Sequence, residues 1–253
     1  MEEEEIKKFV KKRYSETAKA GASYCVSCEC GPSLIELGKR IGYSDEDLRN
    51  VPEASNMGLG CGNPVALAAL KEGDTVLDLG SGGGIDVFLA AKRVGHEGKA
   101  IGVDMTEEMI KRAKSTAKKY GYTNIEFRLG EIENLPVEDN SIDVIISNCV
   151  INLSVDKEKV FREAYRVLKP GGKILISDLV TEGEIPEKIK KSFDAWAGCV
   201  AGALEKKEYL NTIRKAGFKK IRVASESSHD VDISEELKGK ITSVKVEAYK
   251  ISK

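Results

Sequence analysis

Short apolar runs alternate with amphipathic segments from residue 75 to the end of the chain. Five of these runs predict strands: TVLDLG (75–80), KAIGVD (99–104), IEFRLG (125–130), SIDVIISN (141–148) and KILISDL (173–179). Two more, 218–224 and 241–251, are typical of closing strands. Strands that alternate with helices form a parallel sheet covered on both faces, so the pattern predicts an α/β fold.

The segments between these strands have the marks of helices. One apolar helix runs to Val94, and a second (106–121) places acids first, lysines last and a glycine at its stop. A third helix begins in DKEKVFREAYRV and is halted by Pro170 and two glycines. We expect residues 68–253 to form one domain.

The first 67 residues predict a helical cap packed on that domain. Residues 2–18 carry glutamates first and lysines after, as the helix macrodipole prefers. A stretch with glycines and cysteines follows at 21–32. Ser44 with Asp47 then gives a capping pattern before a short helix, and Asn63-Pro64 is typical of another helix start.

Charge and composition exclude several partners. The 253 residues carry 40 basic and 41 acidic side chains, and such a balance argues against nucleic acid or anionic lipid as an obligate partner. No apolar run approaches the roughly 20 residues that cross a bilayer, and the opening MEEEEIKK is acidic where a secretory signal would be basic. We therefore expect a cytoplasmic protein whose six cysteines are reduced thiols rather than a disulfide framework.

A glycine-rich turn follows the first predicted strand in the run VLDLGSGGG (76–84). Such a turn from strand to helix lets a ligand approach the backbone, and the helix start offers free N–H groups. Asp104 ends the next strand, where a carboxylate can bind ribose hydroxyls. The alternative is that the glycines only make a tight turn and Asp104 only caps the helix at residue 106.

The spacing Gly80-x-Gly82-x-Gly84 lacks the third glycine of a dinucleotide site and resembles motif I of class I S-adenosylmethionine (SAM) methyltransferases. The resemblance implies a Rossmann-like, mostly parallel sheet of seven strands and SAM as co-substrate. It implies that the loop binds the methionine portion, Asp104 the ribose, and Met105 and the segment GEIENLP the adenine. The cofactor residues so assigned are Asp78, Gly80, Ser81, Gly82, Gly83, Asp104, Met105, Glu131, Ile132 and Asn148.

Cysteines occupy several positions suited to chemistry. Cys149 follows the fourth predicted strand directly, at the sheet edge where ligands of open α/β sheets bind. Cys61 lies in a glycine-flanked turn, and Cys199 on a probable helix among small residues. The alternative for any one of them is a buried small hydrophobe. Cys25-x-x-Cys28 could be half of a zinc site, although no second pair completes it.

Five segments resemble the arsenite methyltransferase family: NMGLGCGNP (56–64), VDMTEEMI (103–110), RLGEIENLP (128–136), IISNCVINLS (145–154) and GCVAGA (198–203). The resemblance implies that Cys61, Cys149 and Cys199 bind trivalent arsenic. It also implies that an N-terminal cysteine, which we align with Cys30, joins a disulfide that thioredoxin or glutathione reduces. Which of Cys25, Cys28 and Cys30 is that redox partner stays open.

Arsenic(III) is thiophilic, and thiolates are the soft ligands that a protein supplies. Three thiolates leave its lone pair free to attack the SAM methyl group, so we expect methylated arsenicals as the products of a detoxification reaction. One alternative is a methyltransferase for a small organic acceptor of quinone or sterol type, for which Asn148, Asp178 and Tyr14 are the candidate bases. Another is a non-catalytic, thiol-based arsenic-binding protein.

Overall fold

The computed structural model describes residues 2–20, 33–65, 69–228 and 237–252. Its helices are α1 (Glu3–Ala20), α2 (Leu34–Ile41), α3 (Asp45–Arg49), α4 (Ile85–Val94), α5 (Glu107–Lys119), α6 (Lys157–Val167), α7 (Glu187–Lys190), α8 (Phe193–Ala197) and α9 (Lys206–Lys215). Its strands are β1 (Thr75–Leu79), β2 (Lys99–Asp104), β3 (Ile125–Leu129), β4 (Ile142–Asn148), β5 (Leu168–Thr181), β6 (Lys219–Ser228) and β7 (Ile241–Tyr249).

The strands form one seven-stranded sheet in the order β3-β2-β1-β4-β5-β7-β6. β1 pairs in parallel with both β2 and β4, whereas β7 runs antiparallel between β5 and β6. The predicted fold is confirmed. Because the connections leave β1 in one direction and β4 in the other, a crevice opens at the carboxyl ends of these two strands, where α/β proteins bind their ligands.

Alternate residues of each strand enter the cores on the two faces of the sheet. Leu77 and Ile145 pack with Phe161 of α6 on one face. Val76 and Ile146 pack with the helices of the other face, α4 among them. This period of two explains why a parallel strand covered on both sides reads as a continuous apolar run.

The described part of the predicted cap lies against the sheet domain. In α1, Phe9 stacks on Phe193 of α8 with ring centroids 5.0 Å apart, and Lys19 pairs with Glu108 of α5 at 3.2 Å. Ser44 begins α3 with the predicted capping box. The predicted boundary between residues 67 and 68 falls on residues outside the described ranges and stays a prediction.

One prediction of local structure differs from the structure. α6 ends at Val167 and β5 begins at Leu168, so Pro170 and the two glycines after it lie within a strand, at the register shift between Leu168 and Lys173. The predicted helix start at Asn63-Pro64 leads into residues 66–68, which lie outside the described ranges, so it stays a prediction; the Asn63 side chain donates to Asp47 Oδ2 at 3.2 Å. No helix in the described ranges combines the length and apolarity of a membrane span.

Candidate active site

The glycine-rich turn takes the shape that the sequence predicts. β1 ends at Leu79, and the chain passes through Gly80 in the left-handed region (φ 67°) before α4 begins. A Cβ at Gly80 would lie 2.2 Å from the Val150 side chain, so only glycine fits there. The amides of Gly80 and Ser81 both donate to the Val103 carbonyl, which ties the turn to β2.

Asp104 spans from the end of β2 to this turn. Its carboxylate accepts from the Gly82 amide at 2.9 Å and from the Thr106 amide at 2.8 Å. The second contact is the helix cap of the alternative interpretation, and the first ties the acid to the glycine turn. Burial raises the pKa of Asp104, and these two backbone donors oppose the rise.

A cavity of about 340 Å³ opens at the crevice between β1 and β4. A volume of this size suits a small-molecule ligand. Most of the predicted site residues line it: Cys61, Asp78, Gly80, Ser81, Gly82, Gly83, Asp104, Met105, Ile132, Asn148, Cys149 and Cys199. Glu131 is outside this wall, because its side chain pairs with Lys7 of α1, and Lys7 reaches the cavity in its place.

The chemistry of the donor side of the cavity fits SAM. The buried Ser81 Oγ has no hydrogen-bond partner among the described residues, which leaves it free for a ligand's polar group. Asp78 and Asp86 are buried carboxylates that line the same wall. Burial raises the pKa of both carboxyl groups, that of Asp86 to about 7. A cationic ligand would offset the free-energy cost of ionising these buried groups.

Cys61 and Cys149 are joined by a disulfide, with their Cα atoms 5.8 Å apart. The expectation that all six cysteines are reduced thiols is therefore wrong for this pair. The sequence separation of 88 residues concealed the pairing, because only the folded sheet brings the Cys61 turn to the end of β4. One carboxylate oxygen of Asp178, in β5, and the two sulfurs lie within 4.8 Å of one another.

Cys199 is a free, buried cysteine beside this disulfide. It is not on a helix as predicted, because α8 ends at Ala197 and Cys199 has a left-handed φ of 63°. The amide of Cys199 donates to the Trp196 carbonyl, and that of Val200 to the Ala195 carbonyl. These two bonds define a Schellman motif, in which glycine usually occupies the left-handed position.

The amide of Asn148 is fully engaged with protein groups. Its oxygen accepts from the backbone amides of Cys61 at 2.9 Å and Gly62 at 3.2 Å, and its nitrogen donates to the Gly62 carbonyl at 2.6 Å. The nitrogen also donates to the Tyr43 hydroxyl at 3.2 Å. Asn148 was assigned to the cofactor; it lines the cavity, and its hydrogen bonds hold the Cys61 turn.

Two buried titratable groups, Asp178 and Lys157, interact electrostatically close to the cysteines. Burial raises the pKa of Asp178 to about 7 and lowers that of Lys157 to about 8, and each group's charge partly opposes the other's shift. The Tyr209 hydroxyl donates to Asp178 at 3.1 Å. Burial, with the Asp178 charge nearby, also raises the pKa of the Cys199 thiol, so this sulfur stays protonated at neutral pH.

The remaining predicted cysteines, Cys25, Cys28 and the assigned Cys30, lie outside the described residues.

Comparisons with known proteins agree with this geometry. A family profile described as "Methyltransferase domain" matches residues 70–217. The arsenite methyltransferase of Halobacterium salinarum is 42% identical over 262 residues, covering 98% of this chain and 67% of that protein. The chain belongs to the arsenite methyltransferase family. The arsenite methyltransferase of Homo sapiens is 37% identical over 224 residues, covering 85% of this chain and 58% of the human protein.

A solved structure supports the family assignment. The arsenic(III) SAM methyltransferase from Chlamydomonas reinhardtii matches with a TM-score of 0.68 at 33% identity, covering 88% of this chain and 75% of that one. Against the arsenite methyltransferases of Halobacterium salinarum and Homo sapiens, the chain spans 67% and 58% of their lengths.

Sequence reasoning missed several residues of this family member's cavity. Lys7 of α1 and Asp86 of α4 line it, as does Tyr14 of α1, which the sequence offered only as a candidate base for an organic acceptor. The Tyr14 hydroxyl donates to the carbonyl of Ala197, two residues before Cys199, at 3.3 Å. Asp86 had a local signal, since an acid in the first turn behind a glycine-rich loop faces whatever the loop binds. Lys7 had none, because its approach to the cavity depends on how α1 packs.

Proposed function

We propose that this chain transfers the methyl group of SAM to trivalent arsenic held by Cys61, Cys149 and Cys199. One observation carries the proposal: three cysteines from separate segments line the same cavity as the glycine-rich turn and Asp104. The cavity therefore brings together two walls: a donor wall, formed by the glycine-rich turn and Asp104, and a thiol wall, formed by Cys61, Cys149 and Cys199. Family membership supports the choice of arsenic as the acceptor.

The thiol wall must first be reduced. Two electrons and two protons from an external dithiol, or from two glutathione molecules, open the Cys61–Cys149 disulfide to two thiols. Three thiols then exchange with the three hydroxyls of arsenous acid, forming three As–S bonds and releasing three waters. The product is a pyramidal arsenic that keeps its lone pair.

The chain's contribution to transfer is positioning. SAM supplies a methyl group on a sulfonium, and the arsenic lone pair displaces the thioether sulfur, which keeps the bonding electrons. Asn148 and the Cys61 turn hold one thiol, and the Schellman motif holds another. Well-oriented partners gain effective molarities of about 10⁵ M or more. No base is needed at arsenic, because its lone pair carries no proton.

Transfer oxidises arsenic by two electrons, and a thiol pair that closes to a disulfide returns them. We assign Cys30 as a member of that pair, with Cys25 and Cys28 as the alternatives. Thioredoxin or glutathione would reopen it, in a cytoplasm that keeps such reductants reduced. The result in the cell would be detoxification of arsenite.

A methyl-transfer assay with SAM, arsenite and a thiol reductant, with separation of the arsenic species, tests the proposal. We expect methylated arsenic from the wild type, and none from Cys61→Ser or Cys149→Ser although both still bind SAM. Cys30→Ser should complete one turnover and then stop, whereas Cys25→Ser and Cys28→Ser should continue. SAM binding without an arsenic product would point to an organic acceptor, and arsenic binding without SAM binding to a non-catalytic protein.

A further inference from the structure

A buried chain of hydrogen bonds connects α4, beside the glycine-rich turn, with the Cys61 turn. Asp86 in the first turn of α4 accepts from the Tyr43 hydroxyl, whose oxygen lies 2.9 and 3.0 Å from the two carboxylate oxygens. That hydroxyl accepts in turn from Asn148, which binds the backbone of Cys61 and Gly62. Tyr43 is 3% exposed and Asp86 4%, so water does not compete for these bonds.

While Asp86 is ionised, the direction of every bond in this chain is determined. The Asn148 oxygen accepts from two backbone amides. Exchanging the oxygen and nitrogen of this side chain would place its NH₂ group against those two N–H donors, so the orientation of the amide is fixed. Its nitrogen therefore donates to the Tyr43 hydroxyl. Since that hydroxyl has a single proton and its oxygen already accepts from Asn148, the proton goes to Asp86. A network with one arrangement holds its members more firmly than one with several.

The Cys61 turn depends on such contacts for its position. Besides the bonds from Asn148, Ser243 Oγ donates to the Cys61 carbonyl at 2.9 Å. A Cβ at Gly60 would lie 2.7 Å from the Asn148 side chain, and one at Gly62 would lie 1.9 Å from Ser177 Oγ. The backbone of the turn is therefore held by the side chains of Asn148 and Ser243, and neither glycine leaves room for a Cβ.

We propose that Tyr43 and Asp86, acting through Asn148, are positioning residues that hold the Cys61 turn in register with the glycine-rich turn. The role of Cys61 as an arsenic ligand rests on the proposed function, whereas the geometric effect on Cys61 and Cys149 does not involve arsenic. Two sulfurs from distant segments meet at high effective concentration only while both segments are held. Loss of the Tyr43 hydroxyl should therefore lower the equilibrium constant for forming the disulfide between Cys61 and Cys149.

The arsenic-free test is the equilibrium of the Cys61–Cys149 disulfide with glutathione. Two glutathione molecules open the bond to two thiols and leave as oxidised glutathione, and alkylation with peptide mapping reports each cysteine separately. Tyr43→Phe keeps the buried ring and removes only the hydroxyl. We expect it to lower the constant for disulfide formation about three- to tenfold, as the net worth of one buried hydrogen bond implies.

Matched variants separate positioning from general loss of stability. Thr212→Val removes a hydroxyl that donates to the Glu208 carbonyl within α9, and should leave the disulfide constant unchanged. Asp86→Asn keeps an acceptor for Tyr43 and should retain the wild-type constant, whereas Asp86→Ala should resemble Tyr43→Phe. Equal constants in the wild type, Tyr43→Phe and Asp86→Ala overturn the proposal, as does a fall in Asp86→Asn equal to that in Asp86→Ala.

Kinetics distinguish this proposal from the proposed function. Tyr43→Phe should lower kcat for arsenic methylation about three- to tenfold, with KM for SAM unchanged. If the wild type forms no methylated arsenic but Tyr43→Phe still shifts the disulfide constant, the arsenic function is wrong and the positioning role stands. If the wild type methylates arsenic and the variant changes neither constant nor kcat, the positioning role is wrong.

Discussion

The Cys199 thiol donates a hydrogen bond to the carbonyl oxygen of Cys149, 2.8 Å away. The free sulfur therefore lies against the backbone of a residue whose own side chain is in the disulfide with Cys61. In this oxidised form two of the three proposed ligands are bonded to each other, and the third is a buried, protonated thiol. Reduction would expose three sulfurs to the same cavity without a change of fold.

Removal of the Cys199 thiol should abolish methylation of arsenic. We expect Cys199→Ala to lower the rate at least about 100-fold, because a two-coordinate arsenic loses its orientation. SAM affinity, measured by calorimetry, should change less than twofold. Substantial arsenic methylation in this variant would contradict the three-thiolate site.

Cys199→Gly is a sharper form of the same test. Glycine relieves the left-handed strain at φ 63°, by about 1 kcal/mol, which offsets a similar loss of buried side chain. The free energy of unfolding should therefore stay within about 1 kcal/mol of the wild type while methylation is lost. Urea unfolding measures this free energy, and it would also reveal a variant that is inactive only because it is unfolded.

Gly62→Ala should damage the thiol wall and spare the donor wall. The new Cβ would lie 1.9 Å from Ser177 Oγ and 2.8 Å from Ser177 Cβ, so the Cys61 turn must move. We expect methylation to fall about tenfold or more with SAM binding retained. Adding Ser177→Ala removes the closer contact and should restore part of the activity; no restoration would indicate that the turn is not displaced by this contact.

Asp86 should make the apoprotein less stable as pH rises toward neutrality. The folded protein keeps the Asp86 proton up to about pH 7, because burial raises that pKa, whereas the unfolded chain releases it near 3.8. Between these values the folded state binds more protons, so the free energy of unfolding falls as pH rises, and the effect is constant above about pH 7.

Asp86→Asn removes this dependence because asparagine does not titrate. Relative to the wild type, the variant should gain about 2 kcal/mol of stability between about pH 5 and pH 7.5, measured by urea unfolding at each pH. Relief of the neighbouring Asp78 carboxylate acts in the same direction, since Asp86 raises its pKa. Parallel stability curves for the two proteins would show that Asp86 is already ionised when folded.

Ile132 should matter more for SAM than Glu131. Ile132 is buried and lines the cavity, whereas Glu131 pairs with Lys7 at the surface. We expect Ile132→Ala to weaken SAM binding about tenfold, and Glu131→Gln by less than about threefold, since exposed ion pairs contribute about 0–1 kcal/mol. Fluorescence titration with SAM measures both, and the reverse order would restore Glu131 to the adenine side of the site.

The sheet and the donor wall were readable from the sequence because their signals are local. A strand such as β1 shows its burial in consecutive residues, and the glycine-rich turn with Asp104 falls within one strand–helix–strand unit. The thiol wall was read in part, through the position of Cys149 at a strand end and through resemblance.

The rest depends on contacts between distant segments. Tyr43 and Asn148 are 105 residues apart, and Cys61 and Cys149 are 88 apart, so no local pattern indicates either contact. Cys199 was misplaced for a different reason. A cysteine occupies a left-handed position that usually holds glycine, so the usual mark of a helix end was absent.

The strand order places the two halves of the cavity on different parts of the chain. The glycine-rich turn follows β1 and Asp104 ends β2, on one side of the sheet's midline, whereas Cys149 follows β4 and Asp178 lies in β5 on the other. Donor chemistry is thus encoded in one continuous stretch, whereas the proposed acceptor cysteines come from before it (Cys61) and after it (Cys149 and Cys199). A lineage that exchanged its methyl acceptor would have to alter both flanking stretches, while the stretch between them continued to serve the same donor.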